Sequence, residues 1–199
     1  LAPLLGLMAV TLRAEQPNLV VIMADDLGYG DVGFNGCQDI PTPHIDSIAA
    51  EGVQFTSGYV GYSVCGPSRA SFITGRYGQR FGFERNPQYQ PQDDQMGLPL
   101  SEKTLATTLK PVGYRSGLIG KWHLGATRKL HPLNRGFDEF YGHLGGGHAY
   151  FADLLTIQDS YSAQNEAESY RTWIMQNHQP VPPRKYLTDD FSDEAVRFI

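Results

Sequence analysis

The sequence predicts an α/β protein with a mixed, mostly parallel sheet flanked by helices. An apolar run at residues 18–24 ends in two aspartates and is followed by a helix pattern at 42–52, and helix and strand signals alternate again over residues 101–123. Such alternation favours a layered sheet, and these sheets bind ligands at the carboxyl ends of their strands. We therefore expect the polar residues that follow the strands to form one site.

The first elements follow from residue types. Residues 18–24 form a continuous apolar run, which is typical of a strand buried on both faces of a parallel sheet. A helix is predicted from Thr42 and Pro43 to Gly52, because a capping residue, a first-turn proline and a terminal glycine have the right spacing. Residues 53–55 predict another strand.

A second set of elements follows the same logic. Ser101 is predicted to cap a helix that runs through Leu105 and Leu109 and is closed by Gly113. A strand is expected over residues 114–119, with polar residues at its end. Residues 145–183 are irregular and read as a long surface excursion.

The chain should end in a helix. Thr188 is predicted to be its cap, and Ala195, Val196 and Ile199 are expected on its inner side.

Composition limits the classes of function. The 199 residues suffice for one domain, and a net charge of -5 argues against broad binding of nucleic acid. Residues 1–14 are almost wholly apolar and are interpreted as the remnant of a signal peptide, with a buried first helix as the alternative. This stretch is too short to span a bilayer, so we expect an exported protein without a stable membrane anchor, in the periplasm, the extracellular space or a lysosome-like lumen.

Cys65 is expected at the start of a helix. Pro67 suits a first helical turn, and the free amides and dipole of that turn favour an anion. Arg69 returns to the same face one turn later and would strengthen anion capture. The competing interpretation is structural, because Cys37 and Cys65 in an exported chain could form a disulfide.

The motif at residues 65–69 (CGPSR), extended by residues 74–76 (TGR), resembles the signature of the formylglycine-dependent sulfatases. Asp25-Asp26 and residues 120–125 (GKWHLG) and 135–138 (RGFD) fit the same arylsulfatase-like family of the alkaline phosphatase superfamily. The resemblance implies an alkaline-phosphatase-like fold. It also implies that residues 15–199 are the N-terminal portion of a catalytic domain, incomplete at its C-terminus, so the chain alone is expected to be inactive.

The resemblance implies a reaction as well. Cys65 would be oxidised to formylglycine by a formylglycine-generating or equivalent maturation enzyme, and its hydrate would attack the sulfur of a sulfate monoester. Covalent catalysis of this kind divides one difficult step into two. The substrate would be an aryl sulfate or a sulfated carbohydrate, and residues 136–142 favour carbohydrate by resemblance.

Asp25 and Asp26 are the candidate metal ligands. Adjacent carboxylates repel each other unless a cation lies between them, and their hard oxygens suit calcium or magnesium. The simpler alternative is that one acid caps the following turn and the other is solvated. The resemblance favours calcium, adds an oxygen of the modified Cys65 as a ligand and places the remaining ligands beyond residue 199.

Three further side chains complete the predicted site. Lys121 and His123 are two residues apart, so in an extended segment they would project to one side while Trp122 packs on the other. The resemblance implies that Lys121 orients the diol and His123 takes its proton. His148, beside the triple glycine at residues 145–147, is a candidate substrate-binding residue, with a solvated loop histidine as the alternative.

Two other functions stay open from the sequence. A related branch of the superfamily hydrolyses phosphonate or phosphate esters with a similar diol and metal. The chain could also be an inactive module that only binds anions.

Overall fold

The computed structural model describes residues 16–182 and 184–199, so the leader predicted at residues 1–14 lies outside the described part. The α/β class with a mixed sheet is confirmed. The sheet has the order β1 (Gly117–Lys121), β2 (Glu139–His143), β3 (Ile174–Gln176) and β4 (Gln179–Val181). β1 and β2 are parallel, whereas β2–β3 and β3–β4 are antiparallel, so the described sheet is mixed but, contrary to the prediction, not mostly parallel.

The helices are short. They are α1 (Pro43–Glu51), α2 (Cys65–Thr74), α3 (Leu105–Leu109), α4 (Glu166–Ser169) and α5 (Leu187–Phe198). The chain divides into two compact units, one ending at Glu51 and one comprising Gly52–Ile199. Within the described residues, no helix has both the length and the apolar character needed to cross a bilayer.

The first unit confirms the helix at 43–51 but not the preceding strand. Thr42 accepts a hydrogen bond from the backbone N–H of Gly33 at 2.7 Å and donates one to Asp46 at 3.0 Å, which fixes the start of α1. The strand predicted at residues 18–24 is wrong: these residues form no strand, and Ile22 is 82% exposed. An apolar run signals a need for burial, but a strand also needs a neighbouring strand to complete its backbone hydrogen bonds.

Three predictions in the second unit are corrected. Residues 53–55 form no strand, and Val53 and Phe55 are exposed. The cap of α3 is Thr104 and not Ser101, because the Thr104 hydroxyl accepts the N–H of Thr107 at 3.1 Å. β1 begins three residues later than the strand predicted at 114–119, whereas Gly113 ends the preceding helical turn with a φ of 94°, as expected.

Trp122 anchors the segment that leaves β1. It is 1% exposed, its indole donates to the carbonyl of Leu130 at 2.9 Å, and its ring meets Phe137 edge-on at 6.1 Å. Phe140 of β2 belongs to the same core. The packing of Trp122 in the core therefore fixes the position of the residues directly after β1.

The inner face of α5 differs from the prediction. Leu187, Asp190 and Glu194 are buried, whereas Val196 and Ile199 are 76% and 75% exposed. Charged residues can occupy this face because Asp190 accepts a hydrogen bond from the Tyr141 hydroxyl at 2.7 Å and pairs with Arg184 at 2.8 Å. The apolar pattern at the helix end therefore gave the wrong face.

The excursion at residues 145–183 is largely irregular, as expected, but it contains α4 and the β3–β4 hairpin. It returns to the sheet at β3, whose residue Gln176 pairs with Tyr141 of β2. The excursion also places α4 near the end of β2, because Glu166 of α4 accepts the N–H of Gly146 at 3.1 Å.

Candidate active site

Cys65 is the first residue of α2, as the sequence predicted. The N-cap residue Val64 makes no side-chain capping bond, and Pro67 lies buried in the first turn. A helix start without a local cap leaves backbone amides that need partners from elsewhere. Cys37 and Cys65 are both free thiols, so Cys65 is not consumed by a disulfide.

Asn86 supplies one of those partners. Its side-chain oxygen accepts the N–H of Gly66 at 2.7 Å and lies 3.5 Å from the sulfur of Cys65. A Cβ on Gly66 would lie 2.9 Å from both this oxygen and Cδ of Pro87, which is too close for an unstrained contact. Asn86 therefore holds the side chain of residue 65 at the helix start. Only glycine at position 66 leaves room for Asn86 to come this close.

Arg69 links α2 to the sheet. Its guanidinium donates to the backbone carbonyl of Lys121 at 2.7 Å, and both side chains are half-buried. The bond joins the helix that carries Cys65 to the carboxyl end of β1. The two cations predicted from the sequence are thus brought to the same edge of the sheet.

His123 adopts an unusual backbone conformation. Its φ is 55°, and His123 and Asp26 are two of the three non-glycine residues with positive φ in the described part of the chain. Such strain persists only where the surrounding structure enforces it, and it concentrates at functional sites. The turn at His123 breaks the extended geometry after Lys121, so the expected two-residue alternation stops there.

A cavity of about 520 Å³ contains both Cys65 and His123. Its other walls come from residues 86–90 and from Gly146, Asn165, Glu166 and Tyr170. The nucleophile candidate and the proton acceptor predicted from the sequence therefore line one space. Neither Lys121 nor His148 is among the described residues that line it.

Gly146 separates His123 from Glu166. A Cβ at this position would lie 2.7 Å from Nε2 of His123 and 2.9 Å from Oε1 of Glu166. The same carboxylate oxygen accepts the N–H of Gly146 at 3.1 Å. Glu166 thus faces the imidazole of His123 across a residue that has no side chain.

His148 makes different contacts from those predicted. Its two ring nitrogens each lie 2.9 Å from a backbone carbonyl oxygen, of Ala149 and of Thr172, and its ring lies 4.7 Å from that of His143. Burial lowers the pKa of His148. Burial, and next the charge of His148, holds the pKa of His143 well below its ordinary value, with Lys121 and Arg69 adding to the effect. Substrate binding by His148 stays a prediction.

Asp25 and Asp26 lie at an exposed bend of the first unit, where Asp26 has a φ of 58°. Two adjacent carboxylates fit a hard divalent cation by the chemistry of their oxygens. The described residues contain no group of three or more histidine, cysteine or acidic side chains arranged to hold a metal. A cation here would therefore need further ligands.

Comparison with known proteins assigns the family. The family model described as Sulfatase matches residues 17–199, so the chain belongs to the sulfatase family. It is 44% identical to N-acetylgalactosamine-6-sulfatase of Mus musculus over 98% of its length and 46% identical to arylsulfatase G of Homo sapiens over 65%. These matches cover 38% and 24% of the respective relatives.

Solved structures agree with this assignment. The crystal structure of Ps i-CgsB superimposes with a TM-score of 0.79 at 43% identity, over 89% of this chain and 40% of that one. The same protein in complex with k-i-k-neocarrahexaose gives a TM-score of 0.77 at 42% identity, over 87% and 39%. The chain thus spans about two fifths of the length of these proteins.

Proposed function

We propose that the protein hydrolyses sulfate monoesters, with the formylglycine derived from Cys65 as its nucleophile. The observation that carries this proposal is the position of Cys65, at the start of α2 and in one cavity with His123. Membership of the sulfatase family supports the reaction class. Phosphonate or phosphate ester hydrolysis is the alternative within the same superfamily.

The chemistry proceeds in two steps. One hydroxyl of the hydrated aldehyde attacks the sulfur, the S–O bond to the substrate breaks, and the alcohol leaves with a proton. The second hydroxyl then gives its proton to His123, its oxygen forms the aldehyde double bond, and sulfate is expelled. Addition of water restores the diol and His123 releases its proton to the solvent, so the enzyme ends unchanged.

The side chains around residue 65 have separate roles in this scheme. Asn86 holds the side chain of residue 65 through the contact now made with the sulfur, whose place an oxygen of the diol would take. Arg69, fixed to the carbonyl of Lys121, adds positive charge near the start of α2. Lys121 is assigned to orienting the diol. Preorganised charge of this kind accounts for much of the rate in enzymes that transfer anionic groups.

Asp25 and Asp26 are the residues that would hold the metal, with calcium favoured and magnesium also compatible. A bound divalent cation supplies charge that neutralises the oxygens of the transferring group. The Asp26→Asn variant should lose most of its calcium binding in calorimetry, whereas Asp39→Asn, an exposed aspartate of the same unit, should not. Equal calcium affinity in both variants would contradict this ligand assignment.

The substrate is proposed to be a sulfated carbohydrate. The similar structure that contains k-i-k-neocarrahexaose supports this class, as does the name of the galactosamine sulfatase relative. We also propose export of the protein and maturation by a formylglycine-generating or equivalent enzyme, which supplies the oxidant.

Intact-mass measurement tests the nucleophile. Full-length protein made in a host with the maturation enzyme should be about 18 daltons lighter at the peptide containing Cys65, because the aldehyde replaces sulfur and two hydrogens by one oxygen. It should release sulfate, and the Cys65→Ala variant should not. Sulfate release by protein whose residue 65 remains a thiol would refute the proposed nucleophile.

A further inference from the structure

Glu166 places a carboxylate without a lysine or arginine partner in the cavity that contains Cys65 and His123. Within the described residues, the only hydrogen bond to its carboxylate is the one from the N–H of Gly146, at 3.1 Å, and none of the ion pairs there includes it. It is half-buried. Its second oxygen is therefore available to a ligand.

A carboxylate is unexpected in the wall of a cavity proposed to bind an anionic substrate. A sulfate ester carries a permanent negative charge, and like charges repel most strongly where protein excludes water. Other acidic side chains of the second unit, such as Asp94, Asp138 and Glu139, have a lysine or arginine partner. Hydrogen bonds that the substrate donates to Glu166 would offset part of this repulsion.

Hydroxyl groups of the substrate can compensate for this charge repulsion. A carboxylate oxygen accepts short, strong hydrogen bonds from O–H donors. The neighbouring wall adds the ring of Tyr170, which is 41% exposed. Gly147 keeps that ring close, because a Cβ there would lie 2.9 Å from Cζ of Tyr170. A carboxylate and an aromatic face together suit the polar edge and apolar face of a sugar ring.

We propose that Glu166 is a specificity residue that accepts hydroxyl groups of a sugar and selects sulfated sugars that are otherwise uncharged. A second sulfate or a carboxylate on the same sugar would meet the Glu166 charge directly. This inference rests on the proposed sulfatase activity. Like-charge contacts are an effective means of rejecting a wrong partner.

The Glu166→Gln variant tests the selection. Gln keeps an oxygen for the N–H of Gly146 but removes the charge. The matured full-length protein is given galactose 6-sulfate and galactose 4-sulfate, each against galactose 4,6-disulfate, and sulfate release is measured. The parent should prefer the monosulfated sugar by about tenfold or more in kcat/KM, and the variant should reduce that preference to about threefold or less.

Glu168→Gln is the matched control. Glu168 lies on the same helix, but its carboxylate binds the N–H of Gln164 and the amide of Asn165 and is not part of the cavity wall. It should keep the parental preference. An unchanged preference in an active Glu166→Gln variant would overturn the inference while leaving the sulfatase proposal intact.

Binding provides a measurement that does not depend on turnover. Saturation-transfer NMR should show methyl galactoside binding the parent more tightly than methyl galacturonide, with this difference lost in Glu166→Gln. If no sugar sulfate is hydrolysed, the sulfatase proposal fails. The binding comparison still tests whether Glu166 disfavours a charged sugar. Equal binding of the two sugars by the parent would overturn the inference.

Discussion

The contact of Asn86 with the start of α2 gives a quantitative prediction for Asn86→Ala. The change removes an acceptor that lies 2.7 Å from the N–H of Gly66 and 3.5 Å from the sulfur of Cys65. Loss of a helix-start acceptor typically destabilises a protein by about 1 kcal/mol. Because Asn86 is exposed, water can replace part of the bond, so we expect a loss of about 0.5–1 kcal/mol and a Tm lower by about 1–4 °C.

The effect on turnover should be larger than the effect on stability. The nucleophile loses the contact that fixes its position, and small misplacements of reacting groups are costly. We expect kcat to fall about tenfold, which corresponds to about 1.4 kcal/mol, with KM changed by less than about twofold. Asn86→Asp keeps the acceptor but adds a negative charge, so its main effect should be a higher KM.

Steady-state kinetics on matured full-length protein, with mass spectrometry to equalise formylglycine content, measure these changes. Gln92→Ala is the control, because Gln92 is an exposed amide outside the cavity wall. An Asn86→Ala enzyme with parental kcat, or one whose whole loss is in KM, would refute the positioning role.

Two further predictions concern stability. Burial lowers the pKa of His131 from 6.5 to about 3, so as the pH falls below 6.5 the unfolded state takes up a proton that the folded state does not. Urea unfolding should therefore show about 1 kcal/mol less stability at pH 5.5 than at pH 7.0 from this residue. His131→Gln should flatten that dependence and the exposed His44→Gln should not; an identical pH dependence in all three proteins would contradict the assignment. Tyr141→Phe should lose about 1–2 kcal/mol because buried Asp190 loses a donor, whereas Tyr161→Phe should be nearly neutral, since the Tyr161 hydroxyl has no partner in the described part of the chain. Equal losses in the two tyrosine variants would argue against this account.

Local signals in the sequence predicted local structure well. The proline at 67 and the cysteine at 65 gave the start of α2, and Thr42 with Pro43 gave the start of α1. Capping and first-turn preferences act within a few residues, so a short window contains them. The strand predicted at residues 18–24 was wrong because pairing depends on distant segments that the window does not include.

The residues of the candidate site show the same contrast between local signals and contacts with distant segments. The motif residues Cys65 and His123 were found from the sequence and line one cavity, whereas Asn86 and Glu166 were missed. Asn86 meets its partner across 20 residues of chain, and nothing local marks it as a ligand of a helix start. The available signal was indirect: Gly66, a glycine inside a helix, indicates that another part of the chain comes close.

The absence of a side chain at Gly146 has a consequence for protein engineering. One methyl group added there would press on an imidazole and a carboxylate at once, so libraries that randomise the triple-glycine loop would alter turnover and sugar preference together. Separate tuning of these two properties should start from positions 165 and 170, which line the same space.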